Sequence, residues 1–597
     1  MKEKTNIKKI IIIPIIFVLI IISCFVVYSI IKNNNNSNIN KILVYTNNDH
    51  DLKYITTNND KPTLLSKSYE EDIYVKFNTN KTKIAYLKNH GLYIKNVNDK
   101  LESTKIGVDV NYFKFLNNNE IVYQDINNNL YITSTKNKKE IDIDVNNIVY
   151  NKKDILIYNK GTELYLYNIK TEEKNAILKD YDPSKKIYVS DDLKQILYIS
   201  DDANLKIYNL QSKETTIKSN NAYDIIDYSK DFSEITYSKL GEMKKYYDLI
   251  INDDSASNQK AKYECHFYDL DYDYANDEEP HNSDTKNNIY YLYETIDYYI
   301  YYDEQGQWHW STVDIVNACN GMDPSQRTKD EIRQNEAETQ LYSIYSLKND
   351  ENKEIANDVF EIISSKDNNV VYTKLDLNNN NKVNLSLLYS IEDYIDAIYN
   401  IKPNLYFTNK DKSNELLTES FNNDYKDNIK INNNKIYYYV ENNSNLNLYE
   451  YDFTNSNKEK IADNGFIIDT NILGFDILYL NNYNSDTSKG DLIGRKNGNT
   501  KDIDIDIYPK LDSNNNYLYY YKDFDSKNKS GNYIINNIKK NKKESINDIS
   551  IALRDKNNKY YLFKDYSATS NTYSLFRYQK GNQKPIEYNV TEFVYSK

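Results

Sequence analysis

The stretch Lys185–Ile217, KKIYVSDDLKQILYISDDANLKIYNLQSKETTI, constrains this chain more than any other feature, because the rest of the chain repeats it. It holds four short strand signals, Ile187–Asp191, Gln195–Ser200, Leu205–Asn209 and Glu214–Ile217. Apolar and polar residues alternate along them, and Asp, Asn and Lys fill the turns between. Four antiparallel strands in about 35–45 residues make one propeller blade, and recurrence at that period is the sequence signature of a propeller.

The second strand of each copy has the clearest pattern, an apolar residue, a spacer of one or two, then an aromatic. It occurs at Ile42–Tyr45, Ile84–Tyr86, Ile121–Tyr123, Ile155–Tyr158, Ile196–Tyr198 and Ile235–Tyr237. It returns at Val370–Tyr372, Leu405–Phe407, Ile436–Tyr438, Ile477–Tyr479, Leu518–Tyr520 and Tyr560–Leu562. The expectation is an all-β chain of about twelve four-stranded blades. Propellers typically close with 4–8 blades, so twelve predict two tandem rings of six. Residues 41–366 form the first in this reading, closed by pairing of Val359–Ser365 with the strand at Ile42. Residues 367–597 form the second, closed by Thr591–Lys597. Charged alternation such as Glu140–Asp144 and Asp502–Ile507 reads as outermost strands, where charge blunts a free edge.

Ahead of the repeats, residues 1–9 carry four lysines and Ile10–Ile31 is 22 residues without a charge. That length spans roughly 30 Å of hydrocarbon as a helix, and the lysines place the N-terminus inside the cell with the bulk of the chain outside. Residues Ile21-Ile22-Ser23-Cys24 also resemble a lipobox, with Cys24 as the lipidated residue. Both readings tether the protein to the outer side of a cell membrane, with residues 32–40 as a polar linker. A net charge of −13, with five arginines and no basic patch beyond residue 9, excludes nucleic acid as a partner.

Three copies of the turn before the second strand suggest a relative. Ser190-Asp191-Asp192 precedes Ile196-Leu197-Tyr198, Ser229-Lys230-Asp231 precedes Ile235-Thr236-Tyr237, and Ser365-Lys366-Asp367 precedes Val370-Val371-Tyr372. The pattern resembles TolB-like bacterial extracytoplasmic propellers, although the glycine that usually follows the aspartate is replaced here. The resemblance implies a binding or scaffolding propeller outside the membrane and supplies no catalytic residues.

One gap breaks the period. Residues 240–339 are an insertion between the second strand at Ile235–Tyr237 and a third strand at Leu341–Leu347. The insertion holds both tryptophans, Cys265 and Cys319, and a segment, Ser325–Gln340, that reads as a helix capped by Ser325. Cys265 and Cys319 either form a disulfide, which outside the membrane would stabilise the insertion by roughly 4 kcal/mol, or stay as two buried thiols. Trp308, His309 and Trp310, with Tyr298, Tyr299 and Asp303 nearby, form either an aromatic platform for a ligand or the core of a small strand pair. No C-x-x-C or H-x-x-x-H spacing offers a metal site, no cofactor motif is present, and neither a G-x-S-x-G elbow nor H-E-x-x-H marks a hydrolase. The leading expectation is a membrane-anchored scaffold binding an envelope protein or glycan. The alternatives are an enzyme, carbohydrate-active or otherwise, with carboxylates in a propeller channel, and a ligand sensor working through a membrane partner.

Overall fold

The computed structural model describes residues 41–596, apart from residues 98, 153, 254–263, 270–288, 295–298, 303–307, 312–325, 389, 443–444, 515 and 556–558. Residues 264–269, 289–294, 299–302, 308–311 and 326–327 are described by their backbone alone. Residues 1–40, which include the expected anchor segment and Cys24, lie outside the described residues. Among the described residues no helix is long and apolar enough to cross a membrane.

The chain is nearly all-β, built from successive four-stranded antiparallel sheets in the manner of a propeller. The archetypal repeat folds as read. Strands Tyr188–Val189, Gln195–Ile199, Leu205–Asn209 and Thr215–Ser219 lie side by side in chain order, with Tyr188 opposite Leu197, Gln195 opposite Asn209 and Leu205 opposite Ser219. The second strands depart from simple alternation. Ile42–Asn47 is buried along its whole length, and Ile196 through Ile199 are buried without a break. Where neighbouring sheets within a unit cover both faces of a sheet, its central strand is apolar on both sides. The clusters show this directly. One joins Ile42 and Tyr54 to Ile84 and Tyr86, the next Ala85 and Leu92 to Phe113 and Tyr123, and another Leu197 and Leu205 to Ile235 and Tyr237.

In several blades the tyrosine at the end of the second-strand pattern ties its strand to the blade before it. Tyr86 donates to the Leu65 carbonyl (2.9 Å), Tyr158 to Asp142 (2.8 Å), Tyr237 to the Ser219 hydroxyl (2.8 Å), Tyr438 to the Leu417 carbonyl (3.2 Å) and Tyr520 to Asp504 (2.6 Å). Four of these acceptors are on or beside the outermost strand of the preceding sheet, and Asp504 is on Asn499–Asn514, which pairs directly with the strand of Tyr520 within one seven-stranded sheet. A large apolar ring with one polar tip suits this place, since it fills the gap between sheets and satisfies its hydroxyl across it. Asp142 and Asp504 therefore do more than blunt an edge. Asp142 is also bridged by Lys160 (3.0 Å) and Lys174 (3.2 Å), and Asp504 by Lys522 (3.1 Å) and Lys543 (2.9 Å).

The turns explain how a chain with 13 glycines makes so many hairpins. In the Ser-x-Asp turns Ser190 donates to Asp192 (2.7 Å) and accepts from the amides of Lys194 and Gln195, and Ser229 repeats the arrangement with Asp231 and Glu234. The position where a glycine would sit is left-handed all the same, with φ 60° at Leu193 and 59° at Phe232. Two-residue hairpins use Asn89-His90, Asn349-Asp350 and Asp367-Asn368, all with positive φ, as the twist of the flanking strands requires. Ser365 is an exception to the motif. It donates to the Ile226 carbonyl (3.0 Å), and the hairpin is made by Asp367-Asn368 instead.

Two expectations are corrected by strand pairing. Leu405–Phe407 is not the second strand of its own blade. It lies in Asn404–Thr408, which pairs with Asn369–Lys374 as the third strand of that sheet. The closing strands also differ from those expected. The tight Asp367-Asn368 hairpin folds Glu361–Lys366 onto Asn369–Lys374, so it does not reach Ile42. The strand Asn582–Tyr595 pairs with Ile42–Asn47 instead, with Leu43 opposite Tyr595 and Tyr45 opposite Phe593. The Ile42 amide donates to the Ser596 hydroxyl (2.7 Å), and Thr46 and Thr591 share a hydrogen bond (2.9 Å). Asn582–Tyr595 is long enough to end one sheet and begin the next, bending at Asn589 (φ 54°), and the two together form one seven-stranded sheet. By packing, the described residues up to Pro183 together with those from Asn471 onward form one compact unit, and those of Ser184–Thr470 form another, so the boundary expected at 366/367 does not coincide with either limit.

Candidate functional site: a cap built from two insertions

The insertion at 240–339 springs from where the sequence places it. Strands Glu234–Lys245 and Glu338–Lys348 are the second and third strands of one sheet and extend together well past its edge, from Glu234 opposite Lys348 to Lys245 opposite Glu338. This register draws Glu338, Thr339 and Gln340 into the hairpin, so the expected helix is shorter than Ser325–Gln340. It spans Gln326–Gln334 (α2), and Ser325 lies outside the described residues. A short helix, Tyr246–Ile250 (α1), follows the outgoing strand.

The next sheet carries a second insertion in the equivalent loop, residues 375–403 between Asn369–Lys374 and Asn404–Thr408. Its helix Ile391–Tyr399 (α3) has a complete capping box. Ser390 accepts from the Asp393 amide (3.0 Å), and Asp393 accepts from the Ser390 amide (2.9 Å). The apolar side of α3, Ile391, Tyr394, Ile395 and Ile398, recurs at helical spacing and faces inward.

The two insertions fold onto each other. Ile250, Ile251 and Ile332 from the first share a core with Leu377, Leu385, Leu388 and Tyr394 from the second, and Ile332 and Tyr394 are fully buried. Ile251–Asn252 pairs in parallel with Val383–Asn384, and Lys382 donates to the Asp248 carbonyl (3.1 Å). A clamp holds the two ends of the first insertion together. The Arg333 guanidinium grips Asp253 with two bonds (2.9 and 3.1 Å), and Tyr247 donates to the same carboxylate (2.8 Å). Arg333 beside it holds the Asp253 carboxyl below the usual range, against the smaller opposing effect of burial. Such a forked, charge-assisted pair fixes orientation as well as charge. The outer surface of the cap carries Leu387, 60 % exposed, and Tyr399, 82 % exposed.

The sequence-predicted residues of the first insertion fall on a separate four-stranded sheet in the order Glu264–Asp269, Ile289–Glu294, Tyr299–Tyr302, Trp308–Ser311. Its first pair is parallel and its last is antiparallel, with Trp308 opposite Tyr302, His309 opposite Tyr301, Trp310 opposite Ile300 and Tyr299 opposite Ser311. The backbone thus brings Tyr299, Trp308, His309 and Trp310 to one strand pair. Tyr298 and Asp303 lie outside the described residues. Cys265 stands opposite Tyr290, and its proposed partner Cys319 is outside the described residues. Among the described residues no cluster of His, Cys, Asp or Glu could hold a metal ion.

The second insertion was not foreseen. Its signal was present in Ser390-Ile391-Glu392-Asp393, a capping box running into apolar residues at helical spacing. Reading Leu405–Phe407 as the start of a new repeat hid it, because residues 375–403 then passed for the ordinary spacing between repeats.

No family model matches the chain, and no curated protein matches it. Solved structures resemble it weakly. TolB from Acinetobacter baumannii is 13 % identical over 34 % of this chain, with a TM-score of 0.19, and the match spans 58 % of TolB. A eukaryotic initiation factor is 8 % identical with a TM-score of 0.36, covering 93 % of this chain and 98 % of that one. Dipeptidyl peptidase 4 of Porphyromonas gingivalis is 8 % identical with a TM-score of 0.33, covering 85 % of this chain and 64 % of that one.

Proposed function

We propose that this protein is a membrane-anchored extracytoplasmic scaffold that binds an envelope protein or glycan through the cap. The observation that carries the reading is the common core of the two insertions. Loops that merely connect strands are short, whereas these two are long, ordered by their own helices and packed together. Their outer side presents Tyr399 and Leu387, residues of the kind that anchor interfaces when covered by a partner. The anchor rests on Ile10–Ile31 or on Cys24, and the aromatic strand pair at Trp308–Trp310 extends the candidate surface.

The test is an in-cell crosslinking pull-down comparing the intact protein with a variant in which both insertions, residues 246–337 and 376–402, are replaced by short turns. Removing only the first would strip the cover from Leu385, Leu388 and Tyr394 and invite non-specific association. Loss of specific partners from the double deletion, with the remaining sheets folded, supports the reading. Unchanged recovery of the same partners places the binding surface elsewhere.

A further inference from the structure

Lysine amines are seldom buried unless an acid pairs with them. Lys374 is buried, 8 % exposed, at the end of Asn369–Lys374. Among the described residues no carboxylate lies within ion-pair distance of its amine. Its hydrogen bond goes to the side-chain carbonyl of Asn357, Nζ to Oδ1 3.2 Å, and the Tyr406 ring lies 5.5 Å away on another side. Asn357 belongs to Glu351–Val359, the outermost strand of the preceding sheet. An unpaired buried amine thus rests against a carboxamide of the neighbouring sheet, with a carboxylate close by. Asp376 is two residues along, held by the Tyr406 hydroxyl (2.6 Å) and the Asn404 amide (3.2 Å).

We propose that Lys374 and Asn357 condense into an intramolecular isopeptide bond that straps together the two sheets carrying the cap. The neutral amine attacks Cγ of Asn357, and the Nζ–Cγ bond forms as the Cγ–Nδ2 bond breaks. One proton passes from Nζ to the departing nitrogen and ammonia leaves, while the Asp376 carboxylate acts electrostatically on the positive charge that develops on Nζ. No oxidant, reductant or second substrate is consumed. Burial favours the neutral amine and pushes the Lys374 pKa down, outweighing the opposing pull of Asp376, Asp358 and Glu354. Asn357 itself is on the exposed side of its strand, so the ammonia escapes directly into water. The pair Lys114–Asn151 makes a similar hydrogen bond (2.7 Å) but is exposed. It serves as the internal control.

The experiment is intact-mass measurement and peptide mapping of the full chain as isolated. The expected result is a mass short by one ammonia and a branched peptide joining Lys374 to Asn357, with Lys114 and Asn151 recovered unlinked. Lys374→Arg and Asn357→Ala should each restore the sequence mass, and Asp376→Asn should leave most of the chain unlinked. The wild-type map decides the matter even if a variant fails to fold. Recovery of Lys374 and Asn357 in separate, unmodified peptides would overturn the proposal, as would recovery of residue 357 as aspartate, the product of water rather than lysine. Linkage at the wild-type rate in Asp376→Asn would overturn the role given to Asp376.

Discussion

Replacing Asp504 by alanine removes the acceptor that Tyr520 uses to tie its strand to the neighbouring strand Asn499–Asn514. Tyr520 is fully buried and its hydroxyl lies 2.6 Å from the carboxylate, keeping only the Asn536 amide as a partner once the acid is gone. A buried hydroxyl deprived of its acceptor costs about 1–3 kcal/mol. The two lysine bridges add less. Asp504 is 8 % exposed, but Lys522 and Lys543 are 27 % and 40 % exposed, so water screens them and each contributes about 0.5 kcal/mol. The expected loss is therefore about 2–4 kcal/mol, and Tyr520→Phe in the same chain should recover part of it by removing the orphaned hydroxyl. Because several sheets unfold in one chain, the assay is local: native-state hydrogen exchange of the amides in Tyr517–Asp525, followed by mass spectrometry. Burial alone would raise the Asp504 pKa, but bonds from Tyr520, Lys543, the Ile505 amide and Lys522 together hold it below the ordinary carboxylate value. The sign follows: the unfolded chain binds the proton more readily, so this stabilisation is complete above the unfolded pKa. It drains away as pH falls through the lower folded pKa, below about pH 4. Asp142, with Tyr158, Lys160 and Lys174 around it, should behave alike. Unchanged protection in both alanine variants would show that the tyrosine ties are incidental to holding neighbouring sheets together.

Lys81→Gly relieves a left-handed residue (φ 55°) at the turn before Lys83–Lys88, and the gain should be about 0.5 kcal/mol after the greater freedom of the unfolded chain is set against it, read as delayed exchange in that hairpin. Tyr394→Ala should cost the cap about 3–5 kcal/mol and release α2 to proteolysis while the strands Asn369–Lys374 and Asn404–Thr408 keep their protection. Deleting residues 590–597 should expose the strand Ile42–Asn47 to rapid exchange, because that strand loses its only partner on one side; sustained protection there would contradict the pairing of the chain's two ends.

The repeat was legible because its central strand is buried on both faces. A run such as Ile196-Leu197-Tyr198-Ile199 stands out from the polar turns around it, and the tyrosine recurs because one residue type both fills and ties the gap between sheets. The same logic misplaces Leu405–Phe407. Leu405 and Phe407 are as deeply buried as the residues of a second strand, and only pairing with Asn369–Lys374 reveals theirs as a third. Closure was beyond reach for a different reason. Whether Ile42–Asn47 pairs with a strand at 360 or at 590 depends on which edges meet in space, and the Ile42–Ser596 bond joins residues 554 apart. Local pattern carries no trace of that choice. Glu140–Asp144 and Asp502–Ile507 read as charged edges, which they partly are. Their central aspartates face the tyrosine that ends the second-strand pattern of the next repeat, and a lysine beyond it, so their role appears only when two repeats are seen together. In the insertion, the aromatic strand at Trp308–Trp310 was found by composition, whereas the clamp at Arg333 and Asp253 joins residues 80 apart and had no local signal.

The proposed role of the cap is tested most directly by placing a photo-crosslinking amino acid at Tyr399 in intact cells, with Asn80, an exposed turn residue far from either insertion in sequence, as the control position. The account expects a discrete adduct from position 399 that disappears when Arg333→Gln and Tyr394→Ala loosen the cap, and none from position 80. Adducts of equal yield from both positions, or none from 399 in cells where the intact protein is recovered with partners, would contradict it.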